Sequence, residues 1–318
     1  MKNKVYFFSG SRADYSLIES IFFLFQNNKL FEKKLVLTGT NLSKKYSDNE
    51  KFNISQKNIH KIYTKLGNSQ KENFSKIMST YFSQFYRLLE KNKPNCVILL
   101  GDRYEALIFG ICAKLLNIKI IHFHGGETTL GSLDNIWRDT ISKLSDYHFT
   151  SLKLYKDKLV SLGINKKKIF NVGSIGVANI AKSKIKKKFI FPNNLNFNRK
   201  ILVSYHSLTI LISQSRKDLN ELLNALSSFK KDFILFTYPG HDFDSDYIIR
   251  SIKNFNKFNK NSMMIKNAKL FSFPTLLKSF DVFVGNSSAG IIEAPTAKIP
   301  TINIGNRQKG RISGKSIF

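Results

Sequence analysis

Gly285-Asn286-Ser287-Ser288-Ala289-Gly290-Ile291-Ile292-Glu293-Ala294-Pro295 follows the apolar run Asp281-Val282-Phe283-Val284, so a strand ends in small residues that open into a helix. Gly and Ser let a ligand approach the backbone closely, and the first amides of a helix have no intrahelical partner and favour an anion. The segment predicts a phosphate cradle at the end of an α/β strand. Glu293 lies too far along for the phosphate, and its acceptor-only side chain suits ribose hydroxyls. Taken alone, the segment reads as an ordinary Ser-capped helix with a surface Glu.

A second such turn stands near the start of the chain. Val5-Tyr6-Phe7-Phe8 runs into Ser9-Gly10-Ser11-Arg12-Ala13-Asp14-Tyr15, again small residues at a strand end but with a guanidinium among them. The pair predicts two nucleotide-style halves facing one cleft. Between them β-rich runs alternate with helical stretches: Leu35-Val36-Leu37, Val97 to Leu100, Ile118 to Phe123, Tyr147-His148-Phe149 and Ile169 to Val172. Tyr104 to Leu116 places Leu107, Ile108, Ile111, Cys112 and Leu115 at helical spacing, which predicts a helix burying one stripe. The rhythm restarts at Ile201-Leu202-Val203-Ser204 and continues through Phe233 to Phe236 and Val282-Phe283-Val284 to Thr301-Ile302-Asn303-Ile304. This is an α/β fold of two Rossmann-like domains, residues 1–181 and 199–318. The lysine- and asparagine-rich stretch 182–198 between them reads as a solvated linker.

Composition bounds the function classes. The chain has 318 residues, is 42% hydrophobic and carries a formal net charge of +29, enough apolar matter for two cores. The lysines are spread along the chain with no zinc-finger, RNA-recognition or recognition-helix signature, so nucleic acid is not expected as a partner. An anionic metabolite would still feel the field. Cys96 and Cys112 sit in apolar stretches and read as reduced thiols. The opening Met1-Lys2-Asn3-Lys4 leads straight into a core strand, and no uncharged run approaches the roughly 20 residues of a membrane helix. The expectation is a cytoplasmic protein with no membrane partner.

Several strand ends carry chemistry. Leu99-Leu100-Gly101-Asp102-Arg103-Tyr104-Glu105 makes Asp102 either a helix N-cap or a site carboxylate. His122-Phe123-His124-Gly125-Gly126-Glu127 ends the next strand; His122 reads as a satisfied core histidine and His124 as a site residue, with acid/base use preferred over zinc. Asp102, Glu127 and Asp134 all lie beyond strand ends of one sheet. As neighbours they would push one another's pKa values apart, which suits moving protons on a sugar. Arg138, four residues after Asp134, either pairs with it or joins the chemistry. In the second half, His206 after Val203-Ser204-Tyr205, and Arg307 in Gly305-Asn306-Arg307-Gln308-Lys309-Gly310-Arg311, are placed to meet a diphosphate. Lys309 and Arg311 read as surface charge, and His241 as a loop residue.

Ser9–Tyr15, Gly101–Glu105, His122–Glu127, Phe170-Asn171-Val172-Gly173, Gly285–Pro295 and Gly305–Arg311, six ordered motifs, together give the chain a resemblance to the UDP-N-acetylglucosamine 2-epimerase family, and within it to the hydrolysing, sialic-acid-pathway type. The resemblance implies a GT-B-like pair of domains with UDP held mainly by the second. It implies elimination of UDP to a glycal, then addition of water to release the 2-epimer, without a metal or redox cofactor. By the same resemblance Asp102, Glu127 and Asp134 are the acid/base carboxylates, and Arg12, His206 and Arg307 the diphosphate ligands. Ser287, Ser288, Gly290 and Glu293 are the phosphate and ribose contacts, and His124 is a sugar contact. The family also implies a homo-oligomer. Alternative readings are a non-hydrolysing epimerase and a UDP-sugar binding module without turnover.

Asp139 and Asn41 stand where the family usually has His, and Ser207-Leu208 where Pro-Val is common. These departures bear on sugar specificity more than on fold. The chain stops at Ile317-Phe318, whereas the family continues to a helix that crosses back to the first domain, so that crossing helix is expected to be missing.

Overall fold

A computed structural model describes residues 2–46, 52–65, 71–183, 189–192, 197–266 and 273–318. The chain divides into two compact units, the first ending at Ile175 and the second running from Gly176 to Phe318; the short segment Thr128–Ser132 belongs to the second.

The first unit is a seven-stranded parallel sheet of β1 (Asn3–Ser9), β2 (Phe31–Leu37), β3 (Ile59–Lys61), β4 (Cys96–Leu100), β5 (Lys119–Phe123), β6 (Tyr147–Thr150) and β7 (Ile169–Asn171), in the order β3-β2-β1-β4-β5-β6-β7. Its helices are α1 (Arg12–Leu24), α2 (Lys71–Asn92), α3 (Tyr104–Leu115), α4 (Asp134–Leu144) and α5 (Lys153–Ser161). Central strands covered on both faces must be apolar throughout, and Val5, Tyr6, Phe7 and Phe8 are all buried. Phe7 meets Phe22 of α1 on one side, while Phe8 stacks on Phe109 of α3 on the other.

The second unit repeats the plan with α6 (Ile175–Lys182), β8 (Lys200–Ser204), α7 (Ile212–Ser227), β9 (Phe233–Thr237), α8 (Ser245–Phe258), β10 (Ser262–Ile265), α9 (Phe273–Leu277), β11 (Val282–Gly285), α10 (Ser288–Ile292) and β12 (Thr301–Asn303). Its strands, all parallel, run β10-β9-β8-β11-β12. One core lies on each face: Ile201, Val203, Leu219, Leu223 and Ile252 on one, and Leu202, Leu235, Leu276, Phe280 and Phe283 on the other.

Three expectations change. Helix α3 buries far more than one stripe, from Tyr104 to Gly110 without a break, because α2 and α4 flank it; Leu115, counted in the stripe, is 60% exposed. Residues 184–188 and 193–196 of the expected linker lie outside the described residues. In what is described there, Phe189, Phe191 and Phe197 pack against Phe233 and Phe280, because aromatic surface gains more from the second unit's core than from water. Finally, β3 and β10 were not anticipated. Among the described residues no helix is long and apolar enough to cross a membrane.

Two buried histidines give the fold a pH dependence. Burial pushes His122 down to about 3 and His148 down to about 4. Both are neutral in the native state, whereas an unfolded histidine protonates near about 6.5. Their burial therefore costs nothing above that pH and destabilises progressively as the pH drops from about 6.5 toward 4. Thermal unfolding midpoints should fall across that window, and His148→Phe should flatten the slope.

Candidate active site

In both sheets the strand order reverses beside the first strand, and the ends of β1 and β4, and of β8 and β11, form the switch points where open α/β sheets place ligands. The sequence motifs fall at these two places.

At the first, Arg103 occupies the N-cap position of α3, so Asp102 is not the cap. Its carboxylate instead accepts from Nη2 of Arg138, a residue of α4 that is 1% exposed. Nη1 of the same guanidinium donates to the Glu127 carbonyl at 2.9 Å, so one side chain ties the ends of β4 and β5 together. The i,i+4 spacing to Asp134 did not signal this long-range bridge; Asp134 itself opens α4. The Glu127 carboxylate is held by Ser151 Oγ at 2.9 Å and by His124 Nδ1 at 2.8 Å. Because the Ile175 N–H donates to His124 Nε2 at 3.4 Å, Nδ1 is the nitrogen that carries the proton toward Glu127. Lys158 donates to the Glu127 carbonyl and to Asp139, which gives the aspartate at the usual His position a partner. The carboxylates of Asp102 and Glu127 are thus engaged by different partners, Arg138 for the first and Ser151 with His124 for the second. His122 is the satisfied core histidine expected, between Gly101 O at 2.8 Å and Ser142 Oγ at 3.1 Å.

Arg12 is the first residue of α1, behind the N-cap Ser11. Asn41 stabilises the turn before it: its Nδ2 donates to Ser9 O and Ser9 Oγ, both at 3.0 Å. Asp14 in this turn carries no local sequence signal of its environment. The residue as a whole is only partly buried, but burial of its carboxyl pushes it up to about 7; Arg103 and Ser11 oppose the rise, while the Asp102 and Glu105 carboxylates add to it. Glu105 beside it is wholly buried and clamped by Arg103 through two hydrogen bonds of 3.2 and 3.3 Å.

At the second switch point the hub is Asn286, which sequence reasoning quoted without assigning. Its Oδ1 accepts from His206 N at 2.7 Å and its Nδ2 donates to His206 O at 2.8 Å, fixing the backbone of the expected diphosphate ligand. Its own carbonyl accepts from Gln308 Nε2 at 2.8 Å and from Arg307 Nη1 at 3.4 Å. Arg311 orients Gln308 at 2.7 Å and is more than surface charge. Gly285, at φ 138°, lets β11 lie against β8, since a Cβ there would sit 2.7 Å from Ser204 C. Ser287 caps α10 by accepting from Ala289 N, and Ser288 is the first residue of that helix.

Two of the expected contact residues also have packing neighbours of their own. Gly290 has its N–H committed to Ser287 O, and a Cβ would lie 2.7 Å from the Phe283 ring, so its smallness serves helix–sheet packing. The Glu293 carboxylate lies against Gly176 at the start of α6, the end of a helix that favours an anion. His241, read as a loop residue, does lie in the loop after β9 and is fully buried there. Among the described residues no group of three or more His, Cys, Asp or Glu is placed to hold a metal ion.

Asp14 supplies a test. The native state keeps a proton that the unfolded chain loses near pH about 4, so this group lowers stability progressively from about 4 to 7 and fully above. In a pH series of thermal unfolding, Asp14→Asn should gain on the parent across that window and hold the gain at pH 8. A gain independent of pH would show that Asp14 ionises normally.

Comparison with known proteins fits this architecture. The model of the UDP-N-acetylglucosamine 2-epimerase family matches residues 24–318. The Campylobacter jejuni GDP/UDP-N,N'-diacetylbacillosamine 2-epimerase (hydrolyzing) is 34% identical, over 100% of this chain and 84% of that protein. The Escherichia coli polysialic acid biosynthesis protein P7 is 32% identical, over 99% and 82%. The Legionella pneumophila UDP-N,N'-diacetylbacillosamine 2-epimerase (hydrolyzing) is 30% identical, over 98% and 83%. Among solved structures, the Neisseria meningitidis UDP-GlcNAc 2-epimerase bound to UDP-GlcNAc shares the fold with a TM-score of 0.71 at 18% identity, over 95% of this chain and 82% of that one. With the family model spanning nearly the whole chain and both switch points built as described, the chain belongs to the UDP-N-acetylglucosamine 2-epimerase family.

Proposed function

We propose that this protein is a hydrolysing 2-epimerase of a UDP-linked 2-acetamido sugar, with a 2,4-diacetamido sugar as the substrate. The observation that carries the reading is near full-length kinship to two proteins named as hydrolysing diacetylbacillosamine 2-epimerases. The E. coli relative named for polysialic acid biosynthesis favours a second substrate, UDP-N-acetylglucosamine, with N-acetylmannosamine as product.

In this reading the C1–O bond to UDP breaks as the C2 proton passes to a carboxylate, leaving a C1–C2 double bond. Water then adds, its hydroxyl to C1 and a proton to C2 from the opposite face. One water is consumed and no oxidation state changes overall. The C2 proton has no adjacent ketone to acidify it, so departure of UDP must lead, and cations on the diphosphate stabilise the leaving group. We assign that role to Arg12, His206 and Arg307, with Ser287 and Ser288 on phosphate. Asp102, Glu127 and Asp134 exchange the protons, and His124 orients Glu127 as well as meeting the sugar.

Incubation in deuterated water with each UDP-sugar, followed by proton NMR, tests this. The expected product is free 2-epimer carrying deuterium at C2, with UDP released; UDP-sugar of inverted C2 configuration would mean a non-hydrolysing enzyme. Asp102→Asn and Glu127→Gln should each lose about 10²–10⁴ in kcat, as general acid–base groups do. Asn286→Ala removes two hydrogen bonds to His206 at about 1 kcal/mol each, so UDP affinity by calorimetry should drop about 30-fold.

A further inference from the structure

Helix α6 carries a glycine that its own backbone does not need. Gly176 stands in the first turn of α6 and, unlike Gly285, has no positive φ. Any residue fits such a backbone, and Gly is less favourable there than Ala because it gives up more freedom on folding. A side chain at 176 would meet Glu293. The three atoms nearest to a Cβ there all belong to that side chain: Oε1, which it would strike, then Cδ at 3.0 Å and Cγ at 3.1 Å. Both residues belong to the second unit. Helix α6 is fastened there at its other end, where Lys278 Nζ donates to Ile180 O at 3.0 Å and to Ser183 O at 3.1 Å, and Ile180 shares a core with Ala294. The Glu293 backbone is fastened as well: its N–H donates to Ala289 O at 3.0 Å, and its carbonyl accepts from Thr296 N at 3.0 Å and Ala297 N at 3.2 Å.

We propose that Gly176 is a positioning residue for the nucleotide: the room left by its missing side chain seats the Glu293 carboxylate against the start of α6, and the seated carboxylate accepts from the ribose 2′-hydroxyl of a ribonucleoside diphosphate. The proposal rests on the functional reading above. Glu293 closes the short helix that Ser287 caps, so an acceptor-only group stands one turn beyond the serines assigned to phosphate. A carboxylate offers about four acceptor sites, so contact through Oε1 does not exhaust it. The start of α6 favours its charge, and a carboxylate already held in place loses less rotamer freedom when the ligand arrives. Oε1 is the far end of a flexible side chain. Ala at 176 is therefore accommodated by moving the carboxylate and not the backbone, which makes the glycine's value specific to where Glu293 points.

Calorimetry with UDP and 2′-deoxy-UDP tests this. The parent should bind UDP about 10- to 100-fold tighter than 2′-deoxy-UDP, the scale of a hydrogen bond to a charged group. Gly176→Ala should bring that ratio to within about 2-fold of unity, while its affinity for 2′-deoxy-UDP stays within about 3-fold of the parent's. Glu293→Asp keeps the charge but is one methylene too short for the seat, so it should lose the ratio as well; it keeps the test open should Gly176→Ala fail to fold. A glycine of purely structural value would lower both affinities together or neither. An unchanged ratio in folded Gly176→Ala or Glu293→Asp therefore overturns the proposal. A parent that binds both nucleotides equally overturns the ribose contact and the proposal with it, leaving the epimerase reading intact; a parent that binds no UDP overturns that reading.

Discussion

The first unit's site depends on one buried guanidinium. Arg138 cannot be withdrawn from water without partners, because a desolvated charge left unpaired costs several kcal/mol. It finds Asp102 at the end of β4 and the Glu127 carbonyl at the end of β5, so its own requirement for hydrogen bonds fixes the spacing of two candidate catalytic groups. Glu127 in turn has its carboxylate saturated on one oxygen by Ser151 and His124. Removing the guanidinium would leave the partly exposed Asp102 carboxylate without this partner, and the carboxylate pair would lose its frame.

The hub of the second unit reaches a comparable precision with a neutral side chain. Asn286 is 1% exposed and uses both ends of its amide on the backbone of His206, while its carbonyl gathers Gln308 and Arg307. A neutral hub suits the phosphate-binding role proposed for this turn, since a carboxylate in its place would repel the phosphates that Arg307 is proposed to bind. The two sheets share a strand order beside their switch points yet hold their functional side chains by opposite means, an ion pair in one and amide bonds in the other.

Much of this was legible in the chain because the informative residues are local in sequence. Parallel strands buried on both faces read as unbroken apolar runs, and turns that must accept a ligand read as Gly, Ser and Asp at their ends; β1, β4, β5, β8, β9 and β11 all announce themselves so. The short strands β3 and β10 do not, because Ile59-His60-Lys61 and Ser262 to Ile265 are only partly buried and lack that signature. The candidate groups Asp102, Glu127, His206 and Arg307 were visible for the same local reason, whereas their partners were not. Arg138 is 36 residues from Asp102, and Asn286 is 80 from His206. A helical i,i+4 rule can suggest Arg138 with Asp134, but only the tertiary fold brings it to the end of β4. Glu293 likewise has a neighbour that no local motif signals, the start of α6, over a hundred residues earlier.

His124 shows how the site's strain is carried. It lies in the left-handed region at φ 62°, a conformation that costs a non-glycine residue about 1–3 kcal/mol and persists only when its surroundings over-determine it. They do so here: its backbone N–H is held by Phe149 O, its ring by Glu127 and the Ile175 N–H, and Gly125-Gly126 follows with a second left-handed residue at φ 78°. A Cβ on Gly126 would clash with the Tyr155 carbonyl, so the chain can turn here only with glycine. The reward for the strained residue is its ring, which a regular extension of β5 would carry onward along the sheet. The turn sets it back against Glu127 instead, and the carboxylate is thereby aimed by the same kink that ends the strand.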